Sequence, residues 1–226
     1  MERRPIGRGV DMVDGTPVLD IKPYTSADRK ENIRIGWIEK TRSGNPRKIR
    51  ALIVYWSGTG NTEKVAKAIH RALKRKGLEP TMKRVEEAKE ENLFDYDLVF
   101  LGSPSHTWIP AQPVLNFIEE KRREYAKRGL IKPCAPKVPG KNAVVFCTYS
   151  GPHTGINEAI PAGKYMCQFF EHLGFDVRAE WYVVGEFHRR ELLSTKGRLG
   201  DIRGRPNSQD LAKVENDTAQ LIRSLM

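Results

Sequence analysis

Six small or polar residues follow the first long apolar run of the chain. The run, residues 51–56, reads Ala-Leu-Ile-Val-Tyr-Trp, and the residues after it are Ser57, Gly58, Thr59, Gly60, Asn61 and Thr62. Small residues let a backbone curl around an anion, and a following helix directs free N–H groups and its positive end at the same spot. Asn61 stands where a Walker-type loop has lysine. The pattern therefore predicts a site for one phosphate monoester, and an ordinary turn is the alternative.

This loop, Ser-Gly-Thr-Gly-Asn-Thr, resembles the phosphate loop of the flavodoxins, in which such residues hold the terminal phosphate of FMN. The resemblance implies an α/β fold with a five-stranded, parallel, doubly wound sheet in the strand order 2-1-3-4-5. In that order the ligand lies beyond the carboxyl ends of the strands, where the first and third strands diverge. FMN is accordingly the predicted cofactor.

A second loop continues the resemblance. Residues 102–112 resemble the stretch of flavodoxin-like quinone reductases in which Gly-x-Pro leads through a short loop to Pro-Ala-Gln and a helix. Trp108 is expected to stack on the flavin, although a packed loop aromatic is the alternative, and an exposed loop residue is the alternative for His106. The predicted cofactor-binding residues in this loop are Pro104, Ser105, His106, Thr107 and Trp108.

A third loop follows the fourth predicted strand. Its glycines would let backbone amides approach the polar edge of the flavin, and Tyr149 would offer a second ring face. His153 is open to three interpretations: a contact to flavin or substrate, a proton donor, or a turn residue. The predicted cofactor-binding residues here are Thr148, Tyr149, Ser150, Gly151, His153 and Gly155.

The remaining patterns assign no catalytic residue and no metal site. Esterase chemistry is a weaker alternative, because Gly-x-Ser-x-Gly is missing and no carboxylate partner is assigned. The chain has no Cys-x-x-Cys motif among its cysteines, Cys134, Cys147 and Cys167. Cys147 and Cys167 are expected to be buried. No Asp or Glu lies within 103–110 or 148–157, which predicts a less negative potential for the fully reduced flavin than in acidic flavodoxins.

The apolar runs alternate with helix-period segments from residue 51 onward, as in α/β folds. Strands are predicted at about 51–56, 79–85, 97–102, 142–148 and 177–185. Helices are predicted near 61–77, 87–93, 111–128, 156–174 and 207–225. The first helix is expected to stop at Gly77. Residues 185–190 are expected either to border the space over the flavin or to form a solvated connection. Residues 186–206 are expected to be an extended excursion that contacts a partner subunit or covers part of the sheet's end.

The chain is basic, with 39 Lys and Arg against 28 Asp and Glu and a net charge of +11 over 226 residues. Basic runs at 71–76, 121–128 and 189–205 permit a nucleic-acid interpretation, but solvated helix faces explain two of them better. A basic flavodoxin-like protein would be steered toward an acidic redox partner or an anionic substrate.

Residues 1–48 do not share the α/β pattern and are predicted to be an appendage to a domain at 49–226. Residues 14–24 resemble the carboxyl-terminal motif of a small β-barrel tRNA methyltransferase family that uses S-adenosylmethionine. The remainder of that barrel has no counterpart, so a fusion remnant serving as a β arm or dimer contact is favoured over a docking element. No membrane span or signal peptide is evident, which predicts a cytoplasmic protein.

Together these patterns predict an FMN-binding flavodoxin-like protein in electron transfer. It would act either as a one-electron carrier or as an FMN-dependent reductase of a quinone-like acceptor, with NAD(P)H as a candidate donor and a homodimer as a candidate assembly. The sequence does not separate carrier from enzyme, because both use the same three loops. The alternative function is a basic RNA-associated binding module linked to tRNA modification.

Overall fold

The computed structural model describes residues 49–225, and the predicted appendage of residues 1–48 lies outside that range. Six strands and five α-helices occur in the described residues. In chain order the elements are β1 (Ala51–Tyr55), α1 (Asn61–Arg75), β2 (Thr81–Arg84), a 3-10 helix (Leu93–Asp95), β3 (Leu98–His106), β4 (Ile109–Pro110), α2 (Gln112–Lys127), β5 (Asn142–Tyr149), a second 3-10 helix (Gly155–Glu158), α3 (Ile160–His172), β6 (Asp176–Val184), α4 (Glu191–Thr195) and α5 (Ser208–Leu225).

The main sheet has the order β2-β1-β3-β5-β6, and every neighbouring pair in it is parallel. The short strand β4 pairs antiparallel with the end of β3 and lies off this path. With β4 set aside, β5 and β6 are the predicted fourth and fifth strands. The predicted fold class and the order 2-1-3-4-5 are therefore confirmed.

Alternate residues of the buried strands feed two separate cores, one on each face of the sheet. Leu52 and Val54 of β1 join the core built with α2 and α3, whereas Ile53 joins the core built with α1 and α5. All five residues of β1 are buried. This continuous burial is why the sequence shows an unbroken apolar run at β1.

Two glycines let aromatic rings lie directly against the backbone. Gly102 of β3 pairs with Phe146 of β5, and a Cβ on Gly102 would lie 2.1 Å from carbons of that ring. Gly163 of α3 packs in the same way under Tyr182, whose hydroxyl would lie 2.2 Å from an added Cβ. Both distances are far below van der Waals contact, so the packing at each of the two positions requires glycine.

The helix after the phosphate loop ends as predicted. Gly77 follows α1 with a φ of +77°, and the Leu78 N–H donates to the Leu73 carbonyl (3.2 Å), an arrangement that satisfies the last turn. Glu215 of α5 accepts hydrogen bonds from both Arg71 (2.9 Å) and Arg75 (2.6 Å) of this helix. These contacts join the amino-terminal and carboxyl-terminal helices of the described domain.

The prediction of a helix near residues 87–93 is wrong. The segment forms turns, and helical geometry appears only in the 3-10 helix Leu93–Asp95. The Glu91 carboxylate accepts hydrogen bonds from the Tyr96 hydroxyl (2.6 Å) and from the Lys83 ammonium group of β2. These contacts hold the segment against the sheet, and they outweigh the helix propensity of its Glu and Lys residues.

The prediction that Cys147 and Cys167 are buried is confirmed. Cys147 and Cys167 are buried and Cys134 is exposed. Burial raises the pKa of Cys147 to about 12, and it does the same for Cys167, so both buried thiols stay protonated at neutral pH. Both act as small apolar side chains in the core on the α2 and α3 side.

We expect Tyr125→Phe to lower the free energy of unfolding by about 1–3 kcal/mol. Tyr125 is fully buried, and its oxygen accepts a hydrogen bond from the Leu93 N–H (2.8 Å), which the substitution would leave buried without an acceptor. Urea denaturation measures the change. Tyr165→Phe, on an exposed face of α3, is the matched control and should stay within about 0.5 kcal/mol of the wild type. Equal effects of the two substitutions would contradict the prediction.

Candidate functional site

The phosphate loop lies at the carboxyl edge of the sheet, between β1 and α1. The Gly60 N–H donates to Ser57 Oγ (3.1 Å), which closes the loop, and the Gly60 carbonyl accepts the first α1 bond from the Lys64 N–H (2.9 Å). Gly60 has a φ of +95°, a conformation that glycine adopts at little cost. The first N–H groups of α1 have no carbonyl within the helix to bind, so they are directed at the loop.

A buried pair of threonines joins this loop to the middle of the sheet. The hydroxyls of Thr62 in α1 and Thr148 in β5 lie 2.8 Å apart, and both side chains are almost fully buried. Because each hydroxyl both donates and accepts, one of them retains a proton to donate elsewhere. The pair therefore joins the start of α1 to the end of β5.

A first cavity of about 280 Å³ opens above the phosphate loop. Its walls come from the three predicted loops and from the segment after β6. The lining residues are Ser57, Gly58, Thr59, Asn61, Thr62, Pro104, Ser105, His106, Thr148, Tyr149, Ser150, Glu186, Phe187 and His188.

A second cavity of about 450 Å³ lies beside the first and shares five lining residues with it: Ser105, His106, Tyr149, Ser150 and Phe187. Its other lining residues are Thr107, Trp108, Gly151, Pro152 and Glu158. The phosphate loop lines only the first cavity and Trp108 lines only the second, whereas the rings of His106, Tyr149 and Phe187 border both. Together the two cavities form one site with a polar end and an aromatic end.

Trp108 reaches the second cavity from the tip of a two-residue hairpin. His106 pairs with Ile109 across it, and the two turn residues, Thr107 and Trp108, have positive φ angles of 49° and 68°. This is the type I′ geometry, which usually selects Asn and Gly. The turn leaves 58% of Trp108 exposed, so its indole is accessible for stacking.

His106 lies at the boundary between the cavities. Its ring meets Trp56 edge to face, with 5.7 Å between centroids, and desolvation lowers its pKa below the usual range. The imidazole is therefore neutral at pH 7. Burial also raises the pKa of Tyr149, so its phenol is protonated there.

Glu158 connects the second and third loops. One carboxylate oxygen accepts hydrogen bonds from the N–H groups of His153 (2.8 Å) and Thr154 (2.6 Å), and the Glu158 carbonyl accepts one from the Ser105 hydroxyl. A single residue thus holds two walls of the second cavity in place.

Three of the seventeen predicted cofactor-binding residues line neither cavity. Gly60 belongs to the phosphate loop but does not line the cavity above it. Gly155 donates its N–H to the Gly151 carbonyl (3.0 Å) inside the third loop. His153 is exposed and offers its backbone N–H to Glu158, as expected of a turn residue. The structure brings the other fourteen residues together around the two cavities.

Sequence reasoning left Glu186, Phe187 and His188 out of the predicted cofactor site, although the segment containing them was expected to border it. These residues follow the edge strand β6 and line the first cavity. The sequence signal for these residues was the polar segment after the last apolar strand. Asn61, whose side chain donates to the Glu186 carbonyl, lies more than 120 residues earlier in the chain.

Two carboxylates lie at the site, although residues 103–110 and 148–157 contain no Asp or Glu. Glu186 lines the first cavity and Glu158 lines the second. The Glu186 carboxylate accepts the Gly204 N–H (2.9 Å), and that of Glu158 is held by two backbone donors. The lining of the two cavities therefore includes two acids from outside those ranges, and the less negative potential of the fully reduced flavin stays a prediction. Within residues 49–225 no group of three His, Cys, Asp or Glu side chains could hold a metal ion.

Comparisons with known proteins find relatives of the fold. Residues 52–135 match the family model of the flavodoxin domain. An NAD(P)H dehydrogenase (quinone) of Archaeoglobus fulgidus is 28% identical over 168 residues, which cover 62% of this chain and 83% of that protein. The crystal structure of oxidised Flavodoxin 2 from Bacillus cereus shares the fold with a TM-score of 0.54, at 18% identity over 77% of this chain and 99% of the other.

The amino-terminal part has a different relative. A stretch of 34 residues is 65% identical to a probable S-adenosyl-L-methionine-binding protein of Pyrococcus abyssi. The match spans 15% of this chain and only 18% of the length of that protein. The resemblance noted in the sequence is thus present, over a short segment.

We expect Glu158→Ala to loosen the second and third loops without unfolding the sheet. The substitution removes the acceptor of two backbone N–H groups, at about 1 kcal/mol for each lost bond. Amide hydrogen exchange at His153 and Thr154 should accelerate by about fivefold or more, while exchange in α1 stays unchanged. Glu171→Ala, at an exposed position of α3, is the control. Unchanged exchange at residues 153 and 154 would contradict the role of Glu158.

Proposed function

Because residues 49–225 form a flavodoxin-like domain, we propose that the two joined cavities bind FMN and that the chain works in electron transfer. The observation that carries the proposal is the meeting of a polar phosphate end and an aromatic end in one site at the carboxyl edge of the sheet. When bound, FMN supplies reversible uptake of electrons.

The chain's own groups match the phosphate end of FMN in chemistry. Ser57, Thr59 and Thr62 offer hydroxyls, and the N-terminus of α1 offers N–H groups and a positive dipole end. No Lys or Arg is among the described residues that line this cavity. The phosphate would therefore be held by neutral donors, as the loop composition predicted.

The aromatic end would hold and orient the flavin ring. Trp108 and Tyr149 supply ring faces, while Gly151 lets the backbone approach closely. Glu158 positions the loops that carry these groups. The neutral imidazole of His106 is able to donate a hydrogen bond from one ring nitrogen and accept one at the other.

A basic and apolar surface beside the site supports an acidic protein partner. Exposed Arg189, Arg190, Lys196 and Arg198 form no ion pair within residues 49–225, and exposed Phe187, Leu192 and Leu199 lie on the same segment. Unpaired cations around apolar contacts suit a partner with a complementary acidic patch.

The similarity to an NAD(P)H dehydrogenase (quinone) supports a reductase within this proposal, and the one-electron carrier is the alternative. NAD(P)H as donor, a quinone-like acceptor and a homodimer are part of this proposal. We also place the protein in the cytoplasm. Within the described residues no helix is long and apolar enough to cross a membrane.

The first test is titration of the apoprotein with FMN. We expect one FMN per chain, with quenching of flavin fluorescence by the stacked rings. Trp108→Leu should weaken binding by about threefold to tenfold and reduce the quenching, because one ring face is lost. Tyr165→Leu, an exposed aromatic outside both cavities, is the matched control and should bind as the wild type does. No binding of FMN by the wild type would overturn the proposal.

The second test separates the reductase from the carrier. We expect the FMN-loaded protein to oxidise NADH or NADPH without oxygen when a benzoquinone is present, at a rate proportional to FMN occupancy. The accessible second cavity gives the donor and acceptor a route to the flavin. If chemically reduced protein passes electrons to a protein acceptor but NAD(P)H is never consumed, the carrier function replaces the reductase.

A further inference from the structure

Residues 185–187 leave the sheet directly after β6, and each of their backbone N–H and carbonyl groups forms a hydrogen bond. The first of these bonds go to the third loop. The Gly185 N–H donates to the Tyr149 carbonyl (2.8 Å), and the Gly185 carbonyl accepts from the Ser150 hydroxyl (2.8 Å). The third loop therefore holds the start of this segment.

Asn61, the first residue of α1, holds the middle of the segment. Its side-chain NH₂ donates to the Glu186 carbonyl (3.0 Å), while the Glu186 N–H donates to the Arg205 carbonyl (2.9 Å). Gly185 lies against the same amide, since a Cβ there would be 2.7 Å from Asn61 Nδ2. The close approach of the segment to α1 thus requires glycine at position 185.

Ser194 of α4 holds the end of the segment. The Phe187 N–H donates to Ser194 Oγ (3.0 Å), and the same hydroxyl donates to the Phe187 carbonyl (3.1 Å). A hydroxyl is able to donate and accept at once, and Ser194 is almost fully buried. The backbone that carries Phe187 is therefore bound on both sides.

The side chain of Phe187 lies where the two cavities join. It lines both the first and the second cavity, and 36% of the residue is exposed. A side chain carried by a fully hydrogen-bonded backbone is held in place before a ligand binds. Phe187 therefore offers a fixed aromatic wall between the polar end and the aromatic end of the site.

These contacts bear on the roles of Asn61 and Ser150, which the sequence predicts as cofactor-binding residues. The Ser150 hydroxyl gives its proton to the Gly185 carbonyl, and the Asn61 NH₂ group gives one hydrogen to the Glu186 carbonyl. A direct bond from Asn61 to phosphate is the competing role. Such a bond would act only on a flavin that carries phosphate.

We infer that Phe187 contacts the bound flavin at the junction of the two cavities, and that Asn61 and Ser150 are positioning residues that hold it there through residues 185–187. The inference rests on the proposed FMN site and adds a fourth wall to the three loops that the sequence predicts. Because riboflavin has the ring system of FMN without the phosphate, loss of this wall should affect both flavins equally.

The test titrates the full chain with FMN and with riboflavin. Phe187→Leu removes the ring, and we expect it to weaken binding of both flavins by about threefold to tenfold. Asn61→Ala and Ser150→Ala, which release the segment from opposite sides, should each weaken both flavins by a similar factor. Asn216→Ala, at an exposed position of α5, is the matched control and should bind as the wild type does.

A double variant shows whether Asn61 acts through Phe187. When Phe187→Leu is already present, adding Asn61→Ala should change FMN affinity by less than about twofold, because the wall that Asn61 positions is gone. The visible circular dichroism of the bound flavin gives a second readout. Phe187→Leu and Asn61→Ala should change this spectrum in the same direction, whereas Asn216→Ala should leave it unchanged.

The possible results differ in what they overturn. An Asn61→Ala variant that loses affinity for FMN alone binds phosphate directly, which overturns the positioning role. Losses that multiply in the double variant overturn the action of Asn61 through Phe187, and a Phe187→Leu variant that binds both flavins as the wild type does overturns the contact itself. Each of these results leaves the proposed function intact. Wild-type protein that binds neither flavin overturns the proposed function, and no variant is needed to read that result.

Discussion

Parallel pairing of β1, β3 and β5 is the constraint on which the rest of this structure depends. Parallel strands need crossover connections, so their carboxyl ends meet at a single edge and their loops converge there. The phosphate loop, the Trp108 hairpin and the Tyr149 loop are each the continuation of one of these strands. Thr62 and Thr148 then join the start of α1 to the end of β5, which couples the loop geometry to the sheet.

Local patterns were enough to predict most of this arrangement. The buried strand β1 is one apolar run, α1 has an apolar stripe and ends before a glycine, and polar loops follow the strands. The resemblance of the loops to flavodoxins implied the strand order and fourteen of the residues that line the two cavities, while these local signals predicted the sheet itself. They succeed because burial on both faces of a parallel sheet leaves a strong mark on composition.

The misses involve side-chain contacts that no local pattern shows, or unusual turns. Residues 87–93 have helix-forming composition, but Glu91 is held by Lys83 and Tyr96. The hairpin that presents Trp108 uses Thr and Trp at positive φ, where the recognisable signal would be Asn-Gly. The segment after β6 is held by a hydrogen bond from the Asn61 side chain to the Glu186 carbonyl, and no local pattern links segments so far apart.

The packing at Gly102 and Gly163 also restricts which substitutions the chain tolerates. Each leaves a space that an aromatic ring from a neighbouring strand fills, Phe146 in one case and Tyr182 in the other. A larger residue at either glycine would require a smaller one opposite it. In related sequences these positions should therefore vary as reciprocal pairs, and substitutions at one member alone should be rare. Such covariation would record the spacing of the sheet and α3 without any reference to the flavin.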